Sequence, residues 1–123
     1  MPSLVDLSIQ LEVIDPLTVG NLGYEARRRW IPGAGVSGKR EDVTLTASSF
    51  SAFTVPTGAK FALIDVGSAV SLTLKGVTSD TGIAICPASG PLQIPVLMPL
   101  NGTPSIGIAN GANVNQVVSI LWL

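Results

Sequence analysis

The last 43 residues of the chain, from Thr81 to Leu123, contain no acidic or basic side chain, yet proline and glycine interrupt them repeatedly. A helix that spans a membrane needs about 20 consecutive apolar residues, and these interruptions leave no run of that length. We therefore expect no transmembrane segment here. The stretch is better suited to short strands that are buried in the protein's own core or against another subunit.

From Val43 onward, short apolar and β-branched runs recur between turn signals at intervals of about 8–12 residues. No segment shows the 3.6-residue apolar repeat of an amphipathic helix. This pattern predicts an all-β fold, an antiparallel β-sandwich or jelly roll of about eight short strands. The predicted strands cover residues 43–47, 50–55, 60–66, 69–75, 83–86, 92–97, 104–109 and 114–122.

The first 42 residues have a different composition. The chain carries 7 basic and 8 acidic side chains, and 11 of these 15 precede Val43. Along residues 4–14 apolar and polar side chains alternate with a period of two, which predicts a strand with one apolar face. The side chains of that face are Val5, Leu7, Ile9, Leu11 and Val13. After Asp15-Pro16, the glycine- and proline-rich residues up to Asp42 predict an irregular loop.

These differences divide the chain into two predicted parts. Residues 1–42 form an extended N-terminal arm, and residues 43–123 form a β-sandwich domain. An arm of this composition is mobile unless it is tied down. Either a partner surface or the chain's own domain could hold it, and the sequence leaves both alternatives open.

The composition also limits the chemistry. The chain has no histidine, one cysteine and a net charge of −1, which excludes imidazole catalysis, an internal disulfide and an overall electrostatic attraction to nucleic acid. Cys86 has no second cysteine or histidine to join it in a metal site, so we expect a small buried apolar residue there. We expect no catalytic residue, cofactor, metal or small-molecule substrate.

Residues 33–39 match the phosphate-binding pattern G-x-x-x-x-G-K. In that motif a Ser or Thr hydroxyl must follow the lysine to reach magnesium, and a helix must follow the loop. Here Arg40 takes the position of the hydroxyl, and a β-pattern follows. We therefore do not expect an NTPase.

Asp80-Thr81-Gly82 is the triplet of the aspartic proteases. Their chemistry needs two aspartates that share one proton at the end of a buried strand. Here the triplet lies in a polar run bounded by Gly76 and Gly82, which predicts a turn in which Asp80 accepts hydrogen bonds from nearby backbone amides. A dimeric aspartic protease is a remote alternative.

The basic residues cluster at one place, Arg27-Arg28-Arg29-Trp30, and acidic residues nearby in the sequence offset much of this charge. Three interpretations stay open. The cluster could lie on a solvated loop, it could dock on an acidic protein patch, for which the planar guanidinium is suited, or it could contact single-stranded nucleic acid.

The stretches Ser51–Lys60 and Val70–Ile83 resemble small β-sandwich head decoration, or cement, proteins of tailed bacteriophages. The resemblance covers residues 43–123 and contains no site motif, so it assigns no functional residue. It implies a homotrimer on the exterior of the virion capsid, made in the host cytoplasm, that binds neighbouring copies of the major capsid protein.

We therefore expect a non-enzymatic virion structural protein that stabilises the outer surface of a capsid, with no specific nucleic-acid partner and no membrane. The alternative is a tail-fibre or receptor-binding, lectin-like module. The expected capsid-binding residues are Val5, Leu7, Ile9, Leu11, Val13, Arg27, Arg28, Arg29 and Trp30. The expected contacts between copies are Ile120, Leu121, Trp122 and Leu123, since both faces of the last predicted strand end in apolar residues.

Overall fold

The computed structural model describes residues 4–13, 22–31, 39–86 and 94–123. Within these ranges every helix or strand assigned is a β-strand, and all pairings are antiparallel, so the predicted all-β class is confirmed. The strands are β1 (Val5–Val13), β2 (Leu22–Trp30), β3 (Lys39–Leu45), β4 (Ser49–Thr54), β5 (Phe61–Asp65), β6 (Leu72–Lys75), β7 (Ile83–Cys86), β8 (Val96–Pro99), β9 (Ser105–Asn110) and β10 (Gln116–Trp122).

The chain divides into two compact units, Met1–Pro32 and Gly33–Leu123. In the first unit β1 and β2 pair over nine positions, from Val5 opposite Trp30 to Val13 opposite Leu22. The strand predicted over residues 4–14 is therefore present. The prediction of an irregular loop after it is wrong for residues 22–30, which form β2. β1 supplies the partner for the backbone hydrogen bonds of that strand.

The second unit contains two four-stranded sheets, with the orders β3-β10-β5-β8 and β4-β9-β6-β7. The predicted boundary between residues 42 and 43 falls inside β3, whose charged first residues pair with the end of β10, Lys39 lying opposite Trp122. These charged residues join the sheet because β3 is an edge strand.

The pairings of the second unit are nested. β3 pairs with β10, β4 with β9, β5 with β8 and β6 with β7, so that these eight strands fold back on one another about the β6–β7 connection. Two further pairings, β10 with β5 and β6 with β9, join the nested pairs into the two sheets. Consecutive strands change sheet at every step except from β6 to β7.

Both sheets contribute to one hydrophobic core. In β10 the side chains of Val118, Ile120 and Trp122 are buried, as expected for a strand with one inward face. The other sheet supplies Leu72, Ile106 and others to the same cluster. Among the described residues, the buried members of the cluster are Leu45, Ala62, Ile64, Val66, Ala69, Leu72, Cys86, Leu100, Ile106, Ile108, Val118, Ile120 and Trp122.

Candidate interaction surfaces

The hairpin of β1 and β2 has one apolar and one polar face. Because opposite residues of an antiparallel pair lie on the same side, the alternating apolar side chains of β1 share a face with Tyr24, Ala26, Arg28 and Trp30 of β2. Towards the β1–β2 connection this face is open to solvent. The exposed fraction is 46% for Ile9, 57% for Leu11 and 59% for Tyr24.

Val5, Leu7 and Trp30, at the other end of the apolar face, are half-buried. Val13 lies at the far end of β1, opposite Leu22, and its side-chain environment lies outside the described part of the structure. The structure thus brings Val5, Leu7, Ile9 and Leu11 together on one surface, as their spacing predicts. We refer to this surface, with Tyr24 and Ala26, as the apolar hairpin face.

The polar face carries an ion-pair network. Asp6 accepts two hydrogen bonds from Arg27, from Nη2 at 2.6 Å and from Nε at 3.0 Å. Nε of Arg29, which lies directly opposite Asp6, is 3.3 Å from the same carboxylate. The hydrogen bonds from Arg27 hold the pKa of Asp6 below its ordinary value, and the charges of both arginines act in the same direction.

The three arginines of the basic cluster therefore do not form one patch. Arg27 and Arg29 lie on the polar face with Asp6. Arg28 lies on the apolar side, opposite Leu7, and its Nη1 donates to the backbone oxygen of Arg27 at 2.8 Å. Two of the three guanidinium groups predicted to reach a partner are already engaged with a carboxylate of the hairpin.

Tyr24 and Ala26 belong to this surface but were not among the predicted interface residues. A signal for them is present in the sequence, because Leu22, Tyr24, Ala26 and Trp30 occupy four of the five alternate positions from 22 to 30. Arg28 interrupts this alternation, which is why residues 22–30 were not predicted as a strand with an apolar face.

The four C-terminal residues predicted to contact a second copy lie largely inside the chain's own core. Ile120, Trp122 and Leu123 are buried, and the indole N–H of Trp122 donates to Glu41 Oε2 at 3.1 Å. Leu121 is half-buried, opposite Leu63 in β5. Of the four side chains, Leu121 alone is available to another molecule, because β10 alternates its side chains between the core and the outer face.

Asp80 stabilises a turn, as the plainer interpretation of its motif predicts. Its Oδ2 accepts hydrogen bonds from the backbone N–H groups of Gly76 and Val77, both at 3.0 Å. The carboxylate lies in the exposed connection between β6 and β7. It therefore lacks the position at the end of a buried strand that aspartic-protease chemistry requires.

A groove of about 520 Å³ opens beside this turn. Leu74, Met98 and Ile106 supply apolar side chains to its lining, and these residues belong to or pack against the core. The polar lining includes Lys75 and Asp80. The groove is a shallow surface lined by both apolar and polar side chains.

The remaining sequence motifs have structural roles or lie outside the described residues. Cys86 is buried in the core, as predicted, and burial raises the pKa of its thiol, an effect that a hydrogen bond with the backbone of Leu72 partly offsets. Of the phosphate-binding pattern, residues 33–38 lie outside the described ranges, and the strand β3 begins at Lys39.

Among the described residues, no helix is long and apolar enough to cross a membrane. Within the same ranges, no three side chains of histidine, cysteine, aspartate or glutamate are grouped so that they could hold a metal ion. No protein-family model matches the chain, and comparisons with curated proteins and with solved structures give no match either.

Proposed function

We propose that this chain is a non-enzymatic structural protein of a tailed-phage virion, which attaches to the outer surface of the capsid and stabilises the shell as a homo-oligomer. The observation that carries the proposal is the exposed apolar hairpin face. A two-stranded hairpin is at best marginally stable in water and needs further strands or a packing partner. Exposed apolar patches with a polar surround mark interaction surfaces.

The two faces of the hairpin suggest how the attachment works. On the polar face, Arg27 and Arg29 pair with Asp6, and Glu25 supplies a second negative charge on the same side, so this face offers little net charge to a partner. On the other face, Ile9, Leu11 and Tyr24 expose about half of their surface. We therefore assign the attachment to the apolar hairpin face, with the major capsid protein as the expected partner.

We further propose that the second unit is a jelly-roll sandwich. The nested pairing of β3 to β10 supports this assignment, because a jelly roll is an eight-stranded double sheet built from two Greek keys. Jelly rolls occur in viral capsid proteins and in lectins. The architecture is therefore compatible with a virion protein.

The location of the chain in the particle tests this proposal. Cryo-electron microscopy of purified virus particles that contain the chain should show the sandwich on the outside of the icosahedral shell. Density at the tip of the tail instead would contradict a capsid-stabilising role and favour a receptor-binding module. Density inside the shell would contradict both.

The groove beside Asp80 favours a receptor-binding module as the second candidate function. Its mixed lining, with Lys75 and Thr103 beside Leu74 and Met98, provides the polar and apolar contacts with which pockets bind small molecules. A glycan array probed with the full-length chain is the relevant test. Reproducible binding to one class of glycan would favour the lectin-like alternative.

A further inference from the structure

In the part of the chain that the structure describes, the two sheets of the second unit have four edge strands: β3 and β8 in one sheet, β4 and β7 in the other. An edge strand presents a row of backbone N–H and C=O groups to which another strand can pair. Proteins protect such edges with charged side chains, prolines, bulges or short strands. These criteria distinguish the four edges of this chain.

Three of the edges are protected. β3 begins with four consecutive charged residues, Lys39–Asp42. β8 has four residues, follows Pro95 directly and ends at Pro99. β7 also has four residues, and the register of its pairing with β6 shifts between Leu72 and Thr73.

The fourth edge, β4, has none of these protections. Its six residues, Ser49–Thr54, include neither a charged side chain nor a proline. They pair with β9 at six consecutive positions without a register shift. β4 therefore presents a straight, uncharged edge.

The hydrogen bonds of β4 show which of its backbone groups face β9 and which face away from it. The N–H of Val55 donates to the oxygen of Pro104 at 3.0 Å. Hydrogen-bonded and non-hydrogen-bonded pairs alternate along an antiparallel ladder, so Ser51 and Phe53 also direct their N–H and C=O groups towards β9. The groups of the residues between them, Phe50, Ala52 and Thr54, point away from β9, to the open edge.

These three residues can pair with the same three residues of a second copy. If a second β4 lies antiparallel with Ala52 opposite Ala52, then Phe50 lies opposite Thr54 in both halves. All three pairs are of the hydrogen-bonded type, and none places like charges opposite each other. The ring of Phe50 does not block the open edge of β4, because it lies over Gly107 of β9. A Cβ at Gly107 would collide with this ring.

We propose that two copies of this chain associate through their β4 edges, antiparallel about a twofold axis at Ala52, so that two four-stranded sheets become one of eight strands. Such a contact uses the same surface of both subunits. It rests on the edge geometry and does not depend on capsid attachment. A threefold assembly, as the resemblance implies, would need a separate surface.

A charge-swap experiment on the full-length chain tests the register. Ala52→Lys places two like charges opposite each other across the axis, and Ala52→Glu does the same with the opposite sign. Each variant alone should dimerise at least about tenfold more weakly than the unaltered chain, and an equimolar mixture should recover a heterodimer. Sedimentation equilibrium and native mass spectrometry measure both.

Ala84 provides a matched control. It is an exposed alanine in β7, at the opposite edge of the same sheet, on the face shared with Thr73. Ala84→Lys and Ala84→Glu should leave dimerisation unchanged. Circular dichroism and thermal unfolding verify that every variant is folded.

A second variant tests the backbone pairing without adding charge. Because the N–H of Ala52 points away from β9, Ala52→Pro removes no hydrogen bond within the chain, and proline is tolerated at such edge positions. It should abolish dimerisation while the sheet stays intact.

The proposal would be overturned if the unaltered chain were monomeric at about 100 μM, or if an oligomer persisted in all Ala52 variants. It would also be overturned if the Ala84 controls lost association equally, or if Ala52→Lys and Ala52→Glu did not associate when mixed. A β4 edge that instead captures an extended segment of another protein would leave the unaltered chain monomeric. All these measurements are made in solution without a capsid, whereas attachment is tested on virus particles, so failure of the β4 contact is distinguishable from failure of capsid attachment.

Discussion

Asn110 is the one buried polar residue in the described part of the chain, and it joins the β3–β4 connection to the β9–β10 connection. Its amide nitrogen donates to the backbone oxygens of Leu45, Thr46 and Val114 at 2.9–3.3 Å. Its Oδ1 accepts from Gln116 and from the N–H of Ala112. A buried side chain with this many partners holds a fixed orientation, because each unpaired partner would cost free energy.

Replacing this amide by a carboxyl group should be strongly destabilising. Asn110→Asp removes the donors and places a carboxylate against carbonyl oxygens, which should lower the free energy of unfolding by about 3–5 kcal/mol at neutral pH. Burial raises the folded-state pKa of the introduced carboxyl above its unfolded value, so the loss should grow as pH rises above about 4. Urea unfolding at several pH values measures this.

Asn101 provides the control for that substitution. Like Asn110 it precedes a glycine, but it is exposed in a turn with φ of 38°, a conformation that aspartate also tolerates. Asn101→Asp should change the unfolding free energy by no more than about 0.5 kcal/mol. Equal effects at the two positions would contradict the assigned role of Asn110.

At the scale of single elements, the polar face of the hairpin predicts a measurable pKa. Arg27→Gln should raise the pKa of Asp6 towards its ordinary value, because the two hydrogen bonds from Arg27 are the largest cause of the lowering. Arg28→Gln, on the opposite face, should leave it unchanged. The carboxyl carbon shift of Asp6, followed by NMR titration, reports both values.

The sign of the pH dependence follows from that lowered pKa. The ion pair stabilises the hairpin above the ordinary pKa of an aspartate, about 3.9, and this contribution is lost as pH falls through the lowered value. An unchanged Asp6 pKa in Arg27→Gln, or an equal rise in Arg28→Gln, would contradict the network.

Most strands were predicted correctly from the sequence, because apolar residues alternate within them and turn residues flank them. β1 and every strand from β4 to β10 overlap a predicted strand. β2 was missed because Arg28 occupies a position that the hairpin leaves near solvent, so no apolar residue is required there. The start of β3 was missed because an edge strand can hold four charged residues in sequence, Lys39–Asp42.

The sequence predicted the apolar residues of β1 in the candidate site, but not their partners on β2. Periodicity identified the apolar side of β1, since it depends on the strand alone. The pairing of Asp6 with Arg27, 21 positions apart in sequence, could not be predicted, because it depends on the register between the two strands. The burial of Ile120 and Trp122 could not be predicted either, because it depends on which face of β10 meets the other sheet. Both faces of that strand end in apolar residues, so the sequence does not distinguish them.

At the scale of the whole molecule, the division into two units predicts that the second folds without the first. A chain that begins at Gly33 should retain a β-sheet circular dichroism spectrum and should unfold within about 3 °C of the full-length chain. The physical reason is that every described residue of the core cluster lies beyond Gly33. A Gly33–Leu123 chain that is unfolded would show that the hairpin is part of the core.

The proposed attachment through the apolar hairpin face also predicts which substitutions weaken capsid binding. Ile9→Ser combined with Leu11→Ser removes exposed apolar surface from that face, whereas Gln10→Ser alters the polar face between them. The double variant should bind more weakly, and Gln10→Ser should bind normally. Moderate salt should have little effect on binding, because salt screens exposed charges and leaves apolar contacts intact.

The most direct test of capsid stabilisation is the temperature at which virus particles release their nucleic acid. Particles prepared without this chain are heated alone, with the full-length chain, with the Ile9→Ser/Leu11→Ser variant and with Gln10→Ser. A protein that binds only the assembled shell stabilises it by about 2.7 kcal/mol per site at a hundredfold excess over its dissociation constant. The full-length chain and Gln10→Ser should therefore raise the release temperature, and the double variant should not. Identical release curves for all four samples would contradict the account.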